Sequence, residues 1–175
     1  MLIREARPKD IDFVVSDMLP ADREEQFACM FEPAAERHRA LRDRLQASLR
    51  VAIRFCAMLD DEGYPGALVA AFLASPGVAA VYHLRSSAWP GIARAAHRFY
   101  VRTFIPTVLV PNVRLAECRI MASHAEARAW VLRLGFRENG EPLPYGSQGQ
   151  LFVHAVWVNA NWREETVAPR AEEPA

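Results

Sequence analysis

Lysine is almost missing from this chain. Lys9 is the only one, and arginine supplies the rest of 21 basic residues, which 21 acids balance to a net charge near zero. A neutral chain has no bulk field to draw it to nucleic acid or an anionic membrane, so neither is expected as a partner. The arginines are also spread among the acids, with no aromatic–basic platform. Cysteine is scarce: Cys29, Cys56 and Cys118 are far apart and odd in number. That excludes a disulfide framework, and no pair has the spacing of metal ligands, so no metal is expected. No apolar run is long enough to span a bilayer. The N-terminus carries Arg4, Glu5 and Asp10 and has no signal-peptide core, so a reducing cytoplasm is the expected location.

What is present is core-forming material. The 175 residues are 51% hydrophobic, enough for one packed domain. There is no internal repeat. A single domain over 1–162 is expected, with 163–175 as a polar, frayed tail.

In chain order, Met1–Ala6 reads as a strand. Asp10 is a candidate N-cap for a helix with Ile11, Val14, Val15 and Met18 on one face, which Pro20 breaks. Ala21–Phe31 and Pro33–Leu49 read as two more helices. Asp22-Arg-Glu-Glu25 reads as a solvated charged face. Arg50–Leu59, Ala67–Leu73 and Val78–Arg85 read as strands joined by tight turns, an antiparallel meander. Gly91–Leu109 has helical spacing that Pro106 should kink or end early. Val113–Met121 and Leu151–Val158 alternate as strands. The expected class is α+β, a central mixed and mostly antiparallel sheet flanked by helices.

One stretch is richer than the rest, Ser123-His-Ala-Glu-Ala-Arg-Ala-Trp-Val-Leu-Arg-Leu-Gly135-Phe136. Ser123 and Glu126 have the spacing of a capping box. Ala127, Trp130, Val131 and Leu134 form one apolar face, and Gly135 stands where a left-handed cap is wanted. A strand, this helix and "Leu-Gly-Phe" together resemble the last βα unit of the GNAT (Gcn5-related N-acetyltransferase) superfamily. "Ile-Arg-Glu-Ala-Arg-Pro-Lys-Asp-Ile" at the start resembles its first strand and helix, and the order of elements matches over nearly the whole chain.

The resemblance implies acetyl-CoA as cofactor and an amine, on a small molecule or a protein, as acceptor. It implies a diphosphate loop at Ala88-Trp-Pro-Gly91-Ile92-Ala93-Arg94, where small residues and a helix N-terminus suit phosphate. Gly91 and Ala93 keep the family's Gly-x-Ala step, but Ala88 replaces its Arg or Gln and Pro90 lacks an N–H. His124 stands where the family often has a cofactor-contacting Asn. Val131 stands where the family has a Tyr that protonates the leaving thiolate, and Val has no proton to give. The base for the acceptor amine is sought on the flanking strands. Glu117, an acid on an apolar strand face, comes first and His83 second; a buried ion pair with an arginine is an equally good account of Glu117. Tyr145, in the arm Pro142–Gly149, is a candidate substrate contact, with a plain hairpin arm as the alternative.

"Ala-Asp-Arg-Glu-Glu", "Leu-Gly-Phe" and "Pro-Tyr-Gly-x-x-Gly-x-x-Phe" narrow the resemblance to short GNAT-like proteins of tailed bacteriophages, encoded among virion and assembly genes. That implies virion proteins as partners, the host cytoplasm or the virion as location, and a second function: a fold kept without its chemistry, serving the particle or its assembly. The transferase reading needs two neighbouring parallel strands to splay apart, and Trp89 or Trp130 sealing that gap would leave only a scaffold.

Overall fold

The computed structural model describes residues 1–162; the expected tail, 163–175, lies outside the described residues. The elements run β1 (Leu2–Glu5), α1 (Pro8–Ser16), α2 (Pro20–Ala28), α3 (Arg37–Ser48), β2 (Ala52–Leu59), β3 (Pro65–Ser75), β4 (Val78–Arg85) and α4 (Trp89–Phe99). A π-helical segment (Tyr100–Leu109) continues α4, and β5 (Leu115–Met121), α5 (Ala125–Arg133), β6 (Arg137–Glu138), β7 (Leu143–Pro144) and β8 (Leu151–Val158) follow.

The strands form one sheet in the order β1-β2-β3-β4-β5-β8-β6, with β7 also paired to β8. All pairings are antiparallel except β4 with β5. Side chains alternate across the central strands, so two cores form. Cys56, Met58, Val69 and Ala71 face α4, the π-segment and α5. Phe55, Ala57, Leu68 and Ala70 face α1 and α3. Gly66 permits the close approach of α4: a Cβ there would lie 2.6 Å from Cδ1 of Ile92.

Several expected boundaries move, each for a local reason. Asp10 is not the N-cap of α1. Pro8 takes the first helical position, where its missing N–H costs nothing, and Asp10 accepts the N–H of Arg7 at 2.8 Å from the first turn. Pro20 opens α2 in the same way. The third helix starts at Arg37, four residues later than Pro33. Pro106 does not end its helix; it sits inside the π-segment. There the ladder is wider, with the N–H of Val110 donating to the carbonyl of Ile105 at 2.9 Å, five residues back.

Candidate active site

The parallel pairing of β4 with β5 lasts three residues, Val78 with Leu115, Ala79 with Ala116 and Ala80 with Glu117. Beyond Ala80 and Glu117 the two strands diverge, and a cavity of about 90 Å³ opens between them. A single water needs roughly 10–15 Å³ on such a measure, so the space takes several heavy atoms. His83, Tyr100 and Trp130 line it from the α4–α5 side, with Trp89 packed against His83 and Trp130. Trp130 of α5 stacks on His83 of β4 at 4.7 Å, and Tyr100 and Trp89 meet Trp130 edge-on at 4.9 and 5.8 Å. Trp130 narrows the gap and Trp89 packs against it, but the gap keeps its cavity.

A buried charge network spans the same gap. Arg85, the last residue of β4, binds Asp22 of α2 through its side chain, at 2.6 Å for the shortest bond, and through its own N–H at 2.7 Å. His124 follows β5, and its Nε2 lies 2.7 Å from the Arg85 guanidinium. A guanidinium only donates, so Nε2 accepts, and Nδ1 carries the proton given to Glu25 at 3.0 Å. Glu25 also accepts the N–H of Met121, at the end of β5, at 2.9 Å. Asp22 and Glu25 stand three residues apart on one face of α2. One carboxylate therefore caps each diverging strand.

The stretch Asp22–Glu25 was expected as a solvated face, and only Arg23 and Glu24 are exposed. The signal for the other two was their spacing, which turns both carboxylates the same way. The cap of α5 is also corrected. His124 takes the N-cap position that Ser123 was expected to fill, because its ring is anchored by Arg85 and Glu25. Glu126, expected in a capping box, reaches Arg85 at 3.3 Å instead. The apolar face of this helix is as expected: Ala127, Trp130, Val131 and Leu134 all line the cavity. Gly135 closes it with φ +90°.

The cavity shares walls with a depression on each face of the sheet. Arg85 and Trp130 belong also to a groove of about 460 Å³ between α4 and α5. Arg94, Arg98 and Arg133 line this groove, and none has an acidic partner within 4 Å among the described residues. On the α2 side, Glu25, Tyr82 and Arg119 are shared with a cleft of about 230 Å³ that also takes in Glu117, Tyr145 and Phe152. A cationic groove, a cavity at the splay and a cleft with two carboxylates thus adjoin one another.

The expected site residues distribute around these spaces. Glu117 sits at the vertex of the splay, and its partner is His154, 3.0 Å away, rather than an arginine. Tyr145 lies in the α2-side cleft, with the Arg119 guanidinium 4.5 Å above its ring. His83 is in the aromatic cluster. Burial, then the charge of Arg85, push its pKa down to about 3, and a ring held neutral so firmly is a weak base. Gly91 is in the first turn of α4 with open space around it, and its N–H donates to Ala88 at 3.3 Å. Ile92 is buried in the core, while Ala93 and Arg94 line the cationic groove. The loop N–H groups of Ser86, Ser87 and Trp89 are bonded to Gly66, Asp17 and Ser86. Sequence reasoning had not singled out Tyr100.

No protein-family profile and no curated protein sequence matches this chain. Solved structures do. Ribosomal-protein-S5-alanine acetyltransferase from Vibrio fischeri superposes with a TM-score of 0.64 at 13% identity, over 92% of this chain and 94% of that one. Spermidine N-acetyltransferase from Vibrio cholerae, solved with CoA and spermine, gives 0.63 at 14% identity, over 91% and 95%. Ribosomal-protein-alanine N-acetyltransferase from Brucella melitensis gives 0.62 at 16%, over 90% and 99%. The architecture is that of the GNAT acetyltransferases. Identities this low speak for the fold, and function has to be argued from the site. Among the described residues no group of three or more His, Cys, Asp or Glu side chains converges to hold a metal, and no helix is long and apolar enough to cross a membrane.

Proposed function

We propose that this protein is an acyl-CoA-dependent N-acyltransferase. One observation carries the reading: the cavity at the β4–β5 splay shares walls with a cationic groove on one face and with a carboxylate-bearing cleft on the other. Acetyl-CoA, when bound, supplies an activated acyl carbonyl. Arg94, with Arg98 and Arg133, would hold its phosphates, beside the α4 N-terminus at Gly91, Ile92 and Ala93. The cavity fits the acyl end of the group, and the longer arm needs Trp130 to leave His83. His124 holds the far side of the slot through Arg85. On the α2 side Glu117 takes the proton of an acceptor amine, with His154 steadying the carboxylate, and Tyr145 forms the outer wall of the acceptor cleft.

Calorimetric titration with acetyl-CoA tests this. Saturable heat is expected from the wild type and none from Gly91→Glu, whose new side chain meets no protein atom at its Cβ but sets a carboxylate against the phosphates. Absence of heat from the wild type at millimolar ligand removes the transferase reading.

A second reading has its own support in the Trp130–His83 stack, the bonded N–H groups of the loop and Val131 in place of a hydroxyl. On it the chain keeps the fold and has given up the chemistry. It requires that acetyl-CoA give no heat even when Trp130 is cut back.

A further inference from the structure

Acyl transfer out of a thioester expels a thiolate, and a slot screened from water gives that thiolate nothing to take a proton from unless the protein supplies it. Most polar groups around the cavity are committed. Asp22, Arg85, His124 and Glu25 bond one another, and the Tyr82 hydroxyl donates to Gln26 at 3.0 Å. Tyr100 is different. It lines the cavity, it is 2% exposed, and its hydroxyl has no hydrogen-bond partner among the described residues. Burying a hydroxyl unpaired carries a desolvation penalty, whereas phenylalanine would fill the same place without it.

Its position follows from the backbone. Tyr100 is where α4 widens into the π-segment, and it lines the cavity beside Trp130 of α5. Val131, on α5, lines the same cavity. The ring is braced by Trp130 at 4.9 Å and by His83 at 5.8 Å. His83 Nε2 is the other buried polar atom in this cluster without a partner among the described residues.

We propose that Tyr100 is the general acid of the site, donating its phenolic proton to the departing sulfur. This rests on the acyl-transfer reading. As the acceptor nitrogen bonds to the acyl carbon, the carbon–sulfur bond breaks and its electron pair stays on sulfur. Tyr100 protonates that sulfur and regains a proton from solvent. The proton shed by the acceptor nitrogen leaves through Glu117, so charge and atoms balance. A Tyr100 hydroxyl aimed at the sulfur also stabilises the thiolate of the bound product, CoA.

The experiment uses free CoA and the full chain, with Tyr100→Phe as the variant. Loss of an unpartnered hydroxyl should leave the melting temperature unchanged or slightly higher, which establishes that the variant folds. The bound CoA thiol is then titrated by the ultraviolet absorbance of its thiolate. Its apparent pKa should be higher by about one unit in Tyr100→Phe, a tenfold loss of thiolate stabilisation, while CoA affinity below that pKa stays within about threefold. Equal thiol pKa values in the two proteins would overturn the role of Tyr100 and leave the transferase reading standing. Wild type that binds no CoA at millimolar concentration would overturn both.

Discussion

Trp130 lies nearly flat on His83, the ring centroids 4.7 Å apart and the planes 26° from parallel. The pair closes the slot from the α4–α5 side, and the two functional readings differ on whether it opens. Trp130→Ala removes the obstruction. Half-buried, this side chain should cost about 2 kcal/mol to truncate, or roughly 4–8 °C in melting temperature. Acetyl-CoA affinity, followed by calorimetry, should rise about tenfold, because binding no longer has to displace the indole. A variant that still takes up no ligand would favour the scaffold reading.

Glu117→Gln keeps the shape of the side chain and removes its basicity. Glu117 and His154 are about a quarter to a third exposed, so the fold should lose no more than about 0.5 kcal/mol. Turnover with a primary amine acceptor should fall about 100-fold if Glu117 is the base. Steady-state kinetics beside a melting curve separates the two effects, and an unchanged rate would dismiss Glu117.

The Asp22–Arg85 pair is the buried bridge across the slot, both side chains 6% exposed. Asp22→Asn leaves a guanidinium buried without its counter-charge and should cost about 3–5 kcal/mol in urea unfolding. Glu126 touches the same arginine from an exposed position, 70% accessible. Glu126→Gln should cost under about 0.5 kcal/mol. Similar losses from both would mean that the network is not the brace proposed here.

His83 gives the protein an acid-sensitive fold. Its pKa is about 3 in the folded state against 6.5 in an exposed chain, so the unfolded state binds the extra proton between those values. Stability from this residue is complete above about pH 6.5 and is lost as pH falls toward 3. Between pH 7 and 4.5 the loss should be about 2.5 kcal/mol, and His83→Phe, which keeps an aromatic ring, should remove that part of the slope. Asp10 acts in a lower window. Burial pushes its carboxyl up, but the hydrogen bonds and charge of Arg4 and the N–H of Arg7 outweigh this and hold it below the ordinary value. Its contribution therefore fades only as pH falls further. Parallel urea curves for wild type and His83→Phe at the two pH values would refute the assignment.

How much of this was legible in the residues depends on how local the cause is. Val78–Arg85 and Leu151–Val158 alternate cleanly, and both match their observed strands. The apolar face of α5 was legible for the same reason, since it needs only helical spacing. The cap at Ser123 was misread because His124 is held by residues of α2 and β4 that lie far off in sequence. Asp22 and Glu25 looked solvated because charge predicts exposure until a partner is known, and their partners, Arg85 and Met121, become neighbours only when the sheet forms. Pro106 was expected to kink or end its helix because it breaks an α ladder, and the π winding shifts that ladder by one residue. Tyr100 gave no signal, because nothing local distinguishes an unbonded hydroxyl from a bonded one.

The short β4–β5 ladder also divides the sheet in a way that follows the chain. Strands β1 to β4 come from one unbroken stretch and β5 to β8 from another, and only three residue pairs stitch the two blocks together. The π-segment and the turn after it are the covalent bridge. Nicked between residues 110 and 114, the protein would retain every other strand pairing within a single fragment, and reassembly would depend on helix packing. This domain is mechanically two leaves on a narrow spine, with the cavity set in the crease.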